Sequence, residues 1–263
     1  MTIGNSVHPV KAFPLSQKNS ATFRDLYMSN TMLVLVLSGS KRVLLKQGNI
    51  LDALPDELLV FPSSSFISIE NRVTSGSDYK AWCLCYSDEI INNVFQSPSP
   101  AEKSLSPIHI TPCPNSLLSL LRSFGEPENY RDYPVEVLHR RLTEPLLWLK
   151  SLGHDLATPS KQNLDRRVRN LIASDPAHKW RSSSVASALG YSESTMRRKL
   201  TKYSLTFSEI LMSCRLEHAL TLLQSTQLSI SEIALDCGFS TPSHFSDTFK
   251  QRFSVQPKHI RST

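Results

Sequence analysis

The feature that most constrains this chain is an internal repeat. SSVASALGYS (183–192) recurs 48 positions later as SEIALDCGFS (231–240). With one extra residue in the second copy, STMRRKL (194–200) then corresponds to SHFSDTF (243–249). Ala186 pairs with Ala234, Gly190 with Gly238, Tyr191 with Phe239, Met196 with Phe245 and Leu200 with Phe249. In the first copy Val185, Ala186 and Leu189 make a short apolar helix face, and small Ala186 lets a second helix cross close. Gly190 can take the left-handed backbone that ends a helix, and Ser192 can cap the next one. Met196, Leu200 and Tyr203 are expected to bury one side of that second helix. Ser194, Arg197, Arg198 and Thr201 are left on the other side. The pattern predicts a helix-turn-helix unit, twice, each with an exposed second helix.

The segment between the copies carries two apolar stripes. Phe207, Ile210, Leu211 and Cys214 form one; Leu216, Ala219, Leu220 and Leu223 form the other, nine residues on. At about 100° per residue, nine residues bring the second stripe to the opposite side. One long helix over about 208–224 is predicted, with its first half on the first unit and its second half on the second. Charge follows the same division. Residues 163–263 hold 14 Lys+Arg against 8 Asp+Glu, whereas residues 1–162 hold 15 of each, so the whole net charge of +6 lies in the last hundred residues. That asymmetry is expected of a nucleic-acid-binding domain joined to a neutral one.

The neutral part reads differently. TMLVLVL (31–37), KRVLLK (41–46), ELLVFP (57–62), SFISIE (65–70) and YKAWCLCY (79–86) are short strands separated by Gly, Ser, Asn and Asp, which suggests a compact sandwich or small barrel. Helical spacing follows at 88–95, 115–124 and 135–152. In the last, Val135, Leu138, Leu142, Leu146 and Leu149 form the stripe, and Pro145 is expected to kink or split it. Residues 97–114, with five prolines, are expected to cross the surface as a loop, and 153–162 to be a linker. The five cysteines form no disulfide framework; Cys83 and Cys85, two apart in a strand, are expected to be small buried residues on one face. The opening MTIGNSVHPVKAFPLSQKNS lacks the basic start and apolar core of a signal peptide, and no apolar run is long enough to span a membrane, so a cytoplasmic protein without membrane contact is expected.

The motifs carry a resemblance. RLEHALTLLQSTQLSISEIALDCGFSTPSHFSDTFKQRFSVQP (215–257) resembles the C-terminal signature of AraC/XylS-type transcription regulators, and KWRSSSVASALGYSESTMRRKLTKYSLTFSEIL (179–211) resembles their first helix-turn-helix. The resemblance implies a seven-helix DNA-binding domain over 163–263, with units at about 182–203 and 230–253, whose two recognition helices enter successive major-groove segments of promoter DNA. It implies for residues 1–152 a cupin-like β half-barrel with helices that binds an effector, mediates dimers, or both. The layout also resembles regulators of enteric virulence and acid-resistance genes. The fold class expected is therefore α+β: the half-barrel with its helices, then an all-α domain of two helix-turn-helix units on one long helix. The His-x-His motif of metal-binding cupins is absent, since His8, His109 and His139 fall outside the strand block, and no metal or other cofactor is expected. Two departures stand out. The family's usual Gly-x-x-Pro after the last helix is here Ser254-Val255-Gln256-Pro257, and Asp247 stands where the second recognition helix commonly carries Arg.

Roles follow. Arg197 and Arg198 are the candidates for base edges, because arginine can donate two bonds to guanine, worth about 1–3 kcal/mol of discrimination each. Ser194 joins them. In the second unit Ser243, His244 and Ser246 are candidate base contacts. Lys199, Lys202, Lys250 and Arg252 are candidate phosphate contacts. The expected function is a sequence-specific transcription regulator, an activator working with RNA polymerase, as a homodimer and under a small molecule bound in the N-terminal part. The alternative is a constitutive regulator whose N-terminal part only dimerises or binds a protein partner. No phosphate-cradling glycine loop, nucleophile elbow or paired histidine set is present, so no enzyme is expected.

Overall fold

The computed structural model describes residues 10–45, 48–74, 76–95, 106–125, 130, 132–157 and 163–261. His8 and residues 97–105 of the expected loop lie outside them. The chain divides into two compact units that part between Pro159 and Ser160.

The first unit holds strands β1 (Val10–Gln17), β2 (Ala21–Met28), β3 (Thr31–Ser38), β4 (Ser40–Leu44), β5 (Ile50–Ala53), β6 (Leu58–Phe61), β7 (Ser65–Arg72), β8 (Tyr79–Tyr86) and β9 (Ile108–Ile110). They form two antiparallel sheets, ordered β1-β8-β3-β6-β9 and β2-β7-β4-β5. Three helices follow the strands: α1 (Asp88–Phe95), α2 (Asn115–Ser123) and α3 (Val135–Ser151). One face of the larger sheet, with Leu33, Leu35, Leu58, Val60, Trp82, Leu84 and Tyr86, shares a core with Ile91, Leu117, Leu121, Leu142, Leu146 and Leu149 of those helices. The Tyr86 hydroxyl ties the two layers by donating to the Leu142 carbonyl at 2.8 Å. Because strand side chains alternate, Tyr79, Ala81 and Cys83 leave the other face of β8, and they too are buried. Cys83 is buried and Cys85 half-buried, both as free thiols.

Several expectations need correcting. β1 and β2 lie upstream of the strand block read from the sequence, and β9 lies inside the expected surface loop. His109 therefore belongs to the sheet after all; its Nε2 lies 2.8 Å from Glu57 Oε2, and Glu57 also accepts from the Thr111 hydroxyl. Pro145 does not split α3, which runs unbroken with Pro145 buried in its apolar stripe. Burial of Leu138, Leu142, Leu146 and Leu149 holds the helix across the one backbone bond that proline removes. Val135, at the first turn, is 61% exposed and not part of that stripe.

The second unit comprises α4 (Leu164–Ser174), α5 (Ser182–Ala188), α6 (Glu193–Thr201), α7 (Phe207–Ser225), α8 (Ile230–Asp236), α9 (Pro242–Phe253) and α10 (Pro257–Ile260). The repeat is realised atom for atom at its two turns. Tyr191 N–H donates to Ala186 O and Phe239 N–H to Ala234 O, both at 2.9 Å, around Gly190 (φ +78°) and Gly238 (φ +76°). The extra residue of the second copy moves the cap: Ser192 caps α6, but Thr241 and not Ser240 caps α9. The connector α7 matches its expected span within one residue at each end. Ile210 and Cys214 lie in one cluster with Val168, Ile172, Val185, Ala186, Met196 and Leu200. The buried Leu216, Ala219, Leu220 and Leu223 follow on its second half, and α7 packs against α8 and α10.

At the midpoint of α7, Arg215 donates from Nε to Pro176 O (3.1 Å) and from a terminal nitrogen to His178 O (3.0 Å). Its guanidinium lies against Gly238, where an added Cβ would meet it at 2.6 Å and Pro176 O at 2.9 Å. At Gly190 an added Cβ would meet nothing within 4 Å. Both glycines have positive φ, so alanine costs about 1–2 kcal/mol of backbone strain at either site. Gly238→Ala must in addition displace the Arg215 clasp, and urea unfolding should show a larger loss than for Gly190→Ala. Ser254, where a glycine is usual, closes α9 with φ +60°. Ser254→Gly should therefore raise stability by up to about 1 kcal/mol in the same measurement.

Candidate nucleic-acid interface

α6 is positioned from both ends. The Ser192 hydroxyl accepts the Thr195 N–H at 3.2 Å, and Met196 and Leu200 are buried in the first unit's core. What remains outside is a shallow depression lined by Glu193, Ser194, Arg197, Arg198, Thr201 and Lys202. The structure thus gathers four of the named residues, Ser194, Arg197, Arg198 and Lys202, on one open surface. Its two guanidiniums and one ammonium outweigh the single carboxylate of Glu193.

Lys199 stands apart. Its ammonium lies over the Tyr191 ring, 5.1 Å from the centroid, and the Arg167 guanidinium lies 5.8 Å from the same centroid. Arg167 also donates to Leu189 O at 3.2 Å, which fixes it against the turn of the first unit. Sequence reasoning passed over Arg167; the run DRRVR at the start of α4 was the available signal. Tyr203 departs from its expected role. α6 closes at Thr201, the chain reverses through Ser204 at φ +56°, and Tyr203 is left 56% exposed rather than buried.

α9 begins at Thr241, whose hydroxyl accepts the His244 N–H at 3.2 Å, with Pro242 in the first turn. Phe245, Phe249 and Phe253 are buried, and successive rings meet edge-on at centroid distances of 5.6 and 4.7 Å. Ser243, His244, Asp247 and Lys250 are exposed and Ser246 half-buried. His244 also sets its ring edge-on to Phe239, centroids 5.6 Å apart, so it supports the turn while remaining accessible. Arg252 is nine residues from Ser243, about half a turn away on a helix. It stacks over Phe253 at 5.1 Å and so is not brought together with Ser243 and Lys250. The open face of α9 thus carries one cation and one anion, against the strongly basic face of α6.

The comparisons agree with this architecture. Residues 185–263 match the family described as "Helix-turn-helix domain". The chain is 33% identical over 105 residues to the HTH-type transcriptional regulator YdeO of Escherichia coli, a stretch covering 40% of this chain and 41% of that protein. It is 25% identical over 261 residues to the urease operon transcriptional activator of Escherichia coli, covering 93% of this chain and 87% of the relative. In fold it is similar to unsaturated fatty acid bound ToxT from Vibrio cholerae, with a TM-score of 0.64 at 16% identity over 98% of this chain and 95% of that one. One unit is built of two antiparallel sheets with helices and the other of two helix-turn-helix units on a shared connector, a two-domain architecture. The chain spans less than half the length of YdeO, and what it shares with that regulator is the helix-turn-helix region.

Caps set how firmly each recognition helix is presented. Loss of a side-chain cap costs about 1 kcal/mol. Ser192→Ala and Thr241→Ala should each lower stability by that amount in denaturant titration, with α6 and α9 fraying earlier at their N-termini by amide exchange.

Proposed function

We propose that this protein is a sequence-specific transcription regulator and an activator, cytoplasmic, which reads two adjacent major-groove segments of promoter DNA. The observation that carries the proposal is the open basic face of α6, presented on the same connector as the second unit. Arg197, Arg198 and Ser194 take base edges in the first segment; Ser243, His244 and Ser246 take base or sugar contacts in the second. Lys199, Lys202, Lys250 and Arg252 meet phosphates. The first unit supplies most of the sequence reading, because Asp247 repels phosphates on α9 while α6 carries two arginines. The assignment divides the chain at 1–152, a linker at 153–162, and 163–263. RNA polymerase is the partner implied by activation, and the relative printed as a urease operon transcriptional activator supports that sign.

The N-terminal unit is proposed to sense a small molecule, a reading supported by the ligand-bound ToxT of the same fold. It is also proposed to pair with a second copy through the outer side of α3, where Val137, Arg140, Arg141 and Leu147 are exposed. Among the described residues no helix is long and apolar enough to cross a membrane.

DNA titration tests the core of this. The logarithm of the binding constant should fall with the logarithm of salt by about 0.9 for each neutralised phosphate. A flat dependence rejects DNA binding. At fixed salt Arg198→Ala should weaken specific binding by about 1–3 kcal/mol, roughly ten- to a hundredfold. Ser246→Ala should cost far less; equal losses would reject the asymmetry. A melting temperature raised by a small molecule would separate a sensor from a mere dimerisation scaffold.

A further inference from the structure

The turn between α5 and α6 carries a second charged feature beside the open face of α6. Tyr191 follows Gly190, its N–H donates to Ala186 O at 2.9 Å, and its half-buried ring packs against the cluster that holds Val185, Met196 and Leu200. Two cations from different helices meet that ring. The Lys199 ammonium of α6 lies 5.1 Å from its centroid, and the Arg167 guanidinium of α4 lies 5.8 Å from it. Arg167 is further held by its bond to Leu189 O at 3.2 Å. Among the described residues neither cation has a carboxylate within ion-pair distance.

The fold does not require these cations, as the second copy of the motif demonstrates. There the residue equivalent to Tyr191 is Phe239, 4% exposed and in ring contact with His244 and Phe245. The residue equivalent to Lys199 is Thr248, whose hydroxyl donates to the His244 carbonyl of its own helix. Among the described residues no Lys or Arg lies over Phe239. An apolar ring therefore closes the same turn without charge. In the first unit a tyrosine instead gathers two like charges, which repel each other and have only the ring and one carbonyl to face.

The place of the ring beside α6 identifies the anion that suits them. A helix lying in the major groove, about 12 Å wide, has a phosphate strand on each side. At about 100° per residue, Lys202 lies about 40° and Lys199 about 100° round α6 from Arg198. Arg167 continues that series from α4, at the Tyr191 ring. In the other direction from Arg198 come Ser194, Thr201, Arg197 and Glu193, so that flank ends in a carboxylate. Only the Tyr191 flank is basic throughout.

We propose that Arg167, Tyr191 and Lys199 form a phosphate clasp for one strand of duplex DNA. Arg167 and Lys199 bind backbone oxygens, and Tyr191 is the positioning residue that holds both cations beside α6. The assignment rests on the DNA-binding reading above and adds to it a contact from α4, a helix outside both helix-turn-helix units. The clasp is blind to sequence. Ser194, Arg197 and Arg198 choose the bases, while the clasp sets which strand lies on which flank of α6, and so the direction in which the first unit faces along the duplex.

Salt titration of the full chain tests it on two probes: a duplex pool of random sequence, and the duplex that the wild-type protein enriches most from that pool. Arg167→Gln keeps a donor for Leu189 O and removes the charge, whereas Arg167→Lys keeps the charge. Lys199 is exposed, so Lys199→Gln removes the other charge without touching the core and carries the test even if Arg167→Gln fails to fold. Each Gln substitution should reduce the log–log salt slope by about 0.9 and weaken binding to both probes by the same factor. Arg167→Lys should keep the wild-type slope. Tyr191→Phe, which retains the ring, should bind as wild type does. Tyr191→Leu should weaken binding several-fold, but should cost nothing further once both Gln substitutions are present, because it acts only through those cations. A loss for Arg167→Gln confined to the enriched duplex, at an unchanged slope, would mean that Arg167 only braces the turn, and overturns the proposal. Equal losses for Tyr191→Leu in both backgrounds overturn it too. A steep wild-type slope unaffected by either Gln substitution rejects the clasp alone; a flat wild-type slope rejects the DNA reading and the clasp together.

Discussion

The C-terminal unit depends on one helix having two buried sides. A helix on the surface of a small domain usually has a single apolar stripe and a single neighbour. α7 instead gives its first half to α4, α5 and α6 and packs onward against α8 and α10. Neither helix-turn-helix unit has enough apolar surface to form a core alone: α5 and α8 are seven residues each and bury two side chains apiece. Each becomes stable by packing on its part of α7, and in doing so acquires a fixed position relative to the other. Nineteen residues of helix span about 28 Å, close to the roughly 34 Å between successive major-groove faces on one side of a duplex. Arg215 adds a second tie at its midpoint, since one guanidinium bonds two carbonyls of the α4–α5 connection and packs under the turn of the second unit.

How much of this was legible in the sequence depends on the kind of signal. The repeat, the glycine turns and the opposed stripes of α7 are local periodicities, and the structure follows them nearly residue by residue. The strands that were missed were disguised by features that only a sheet can explain. β1 contains Pro14, which reads as a breaker, but β1 is an edge strand paired only with β8, where a missing N–H is tolerated. β2 loses its alternation between Phe23 and Leu26, where the register shifts and Asp25 adopts φ +52°. β9 has three residues, too few to show any period. Pro145 is a local cost to the helix, and four buried leucines of the same stripe outweigh it.

The candidate interface divides in the same way. Helical periodicity puts Ser194, Arg197 and Arg198 on one side, and the structure places them on one open surface because Met196 and Leu200 fix the rotation of α6. For Lys199 and Arg252 the sequence offers charge alone. Lys199 is placed by a partner outside its helix, Tyr191, which it shares with Arg167 of α4, whereas Arg252 stacks on Phe253, its neighbour on the same helix. Lys41 was invisible for a related reason. In sequence it is an ordinary cation beside Arg42 at the start of a short strand, and only the pairing of β4 with β7 shows that it points inward, to Asn71.

These contrasts bear on what Asp247 means. On α6 the cations stand on a helix whose buried side is made of flexible Met196 and Leu200. On α9 the buried side is a row of three phenylalanines in edge contact, extended by Phe239 to the turn, so its orientation is held by aromatic packing. Asp247 on that exposed face offsets the charge of Lys250. The two copies of one motif thus differ in what they expose and in how they are held: cations are concentrated on the open face of α6, and α9 is fixed by a row of aromatic contacts.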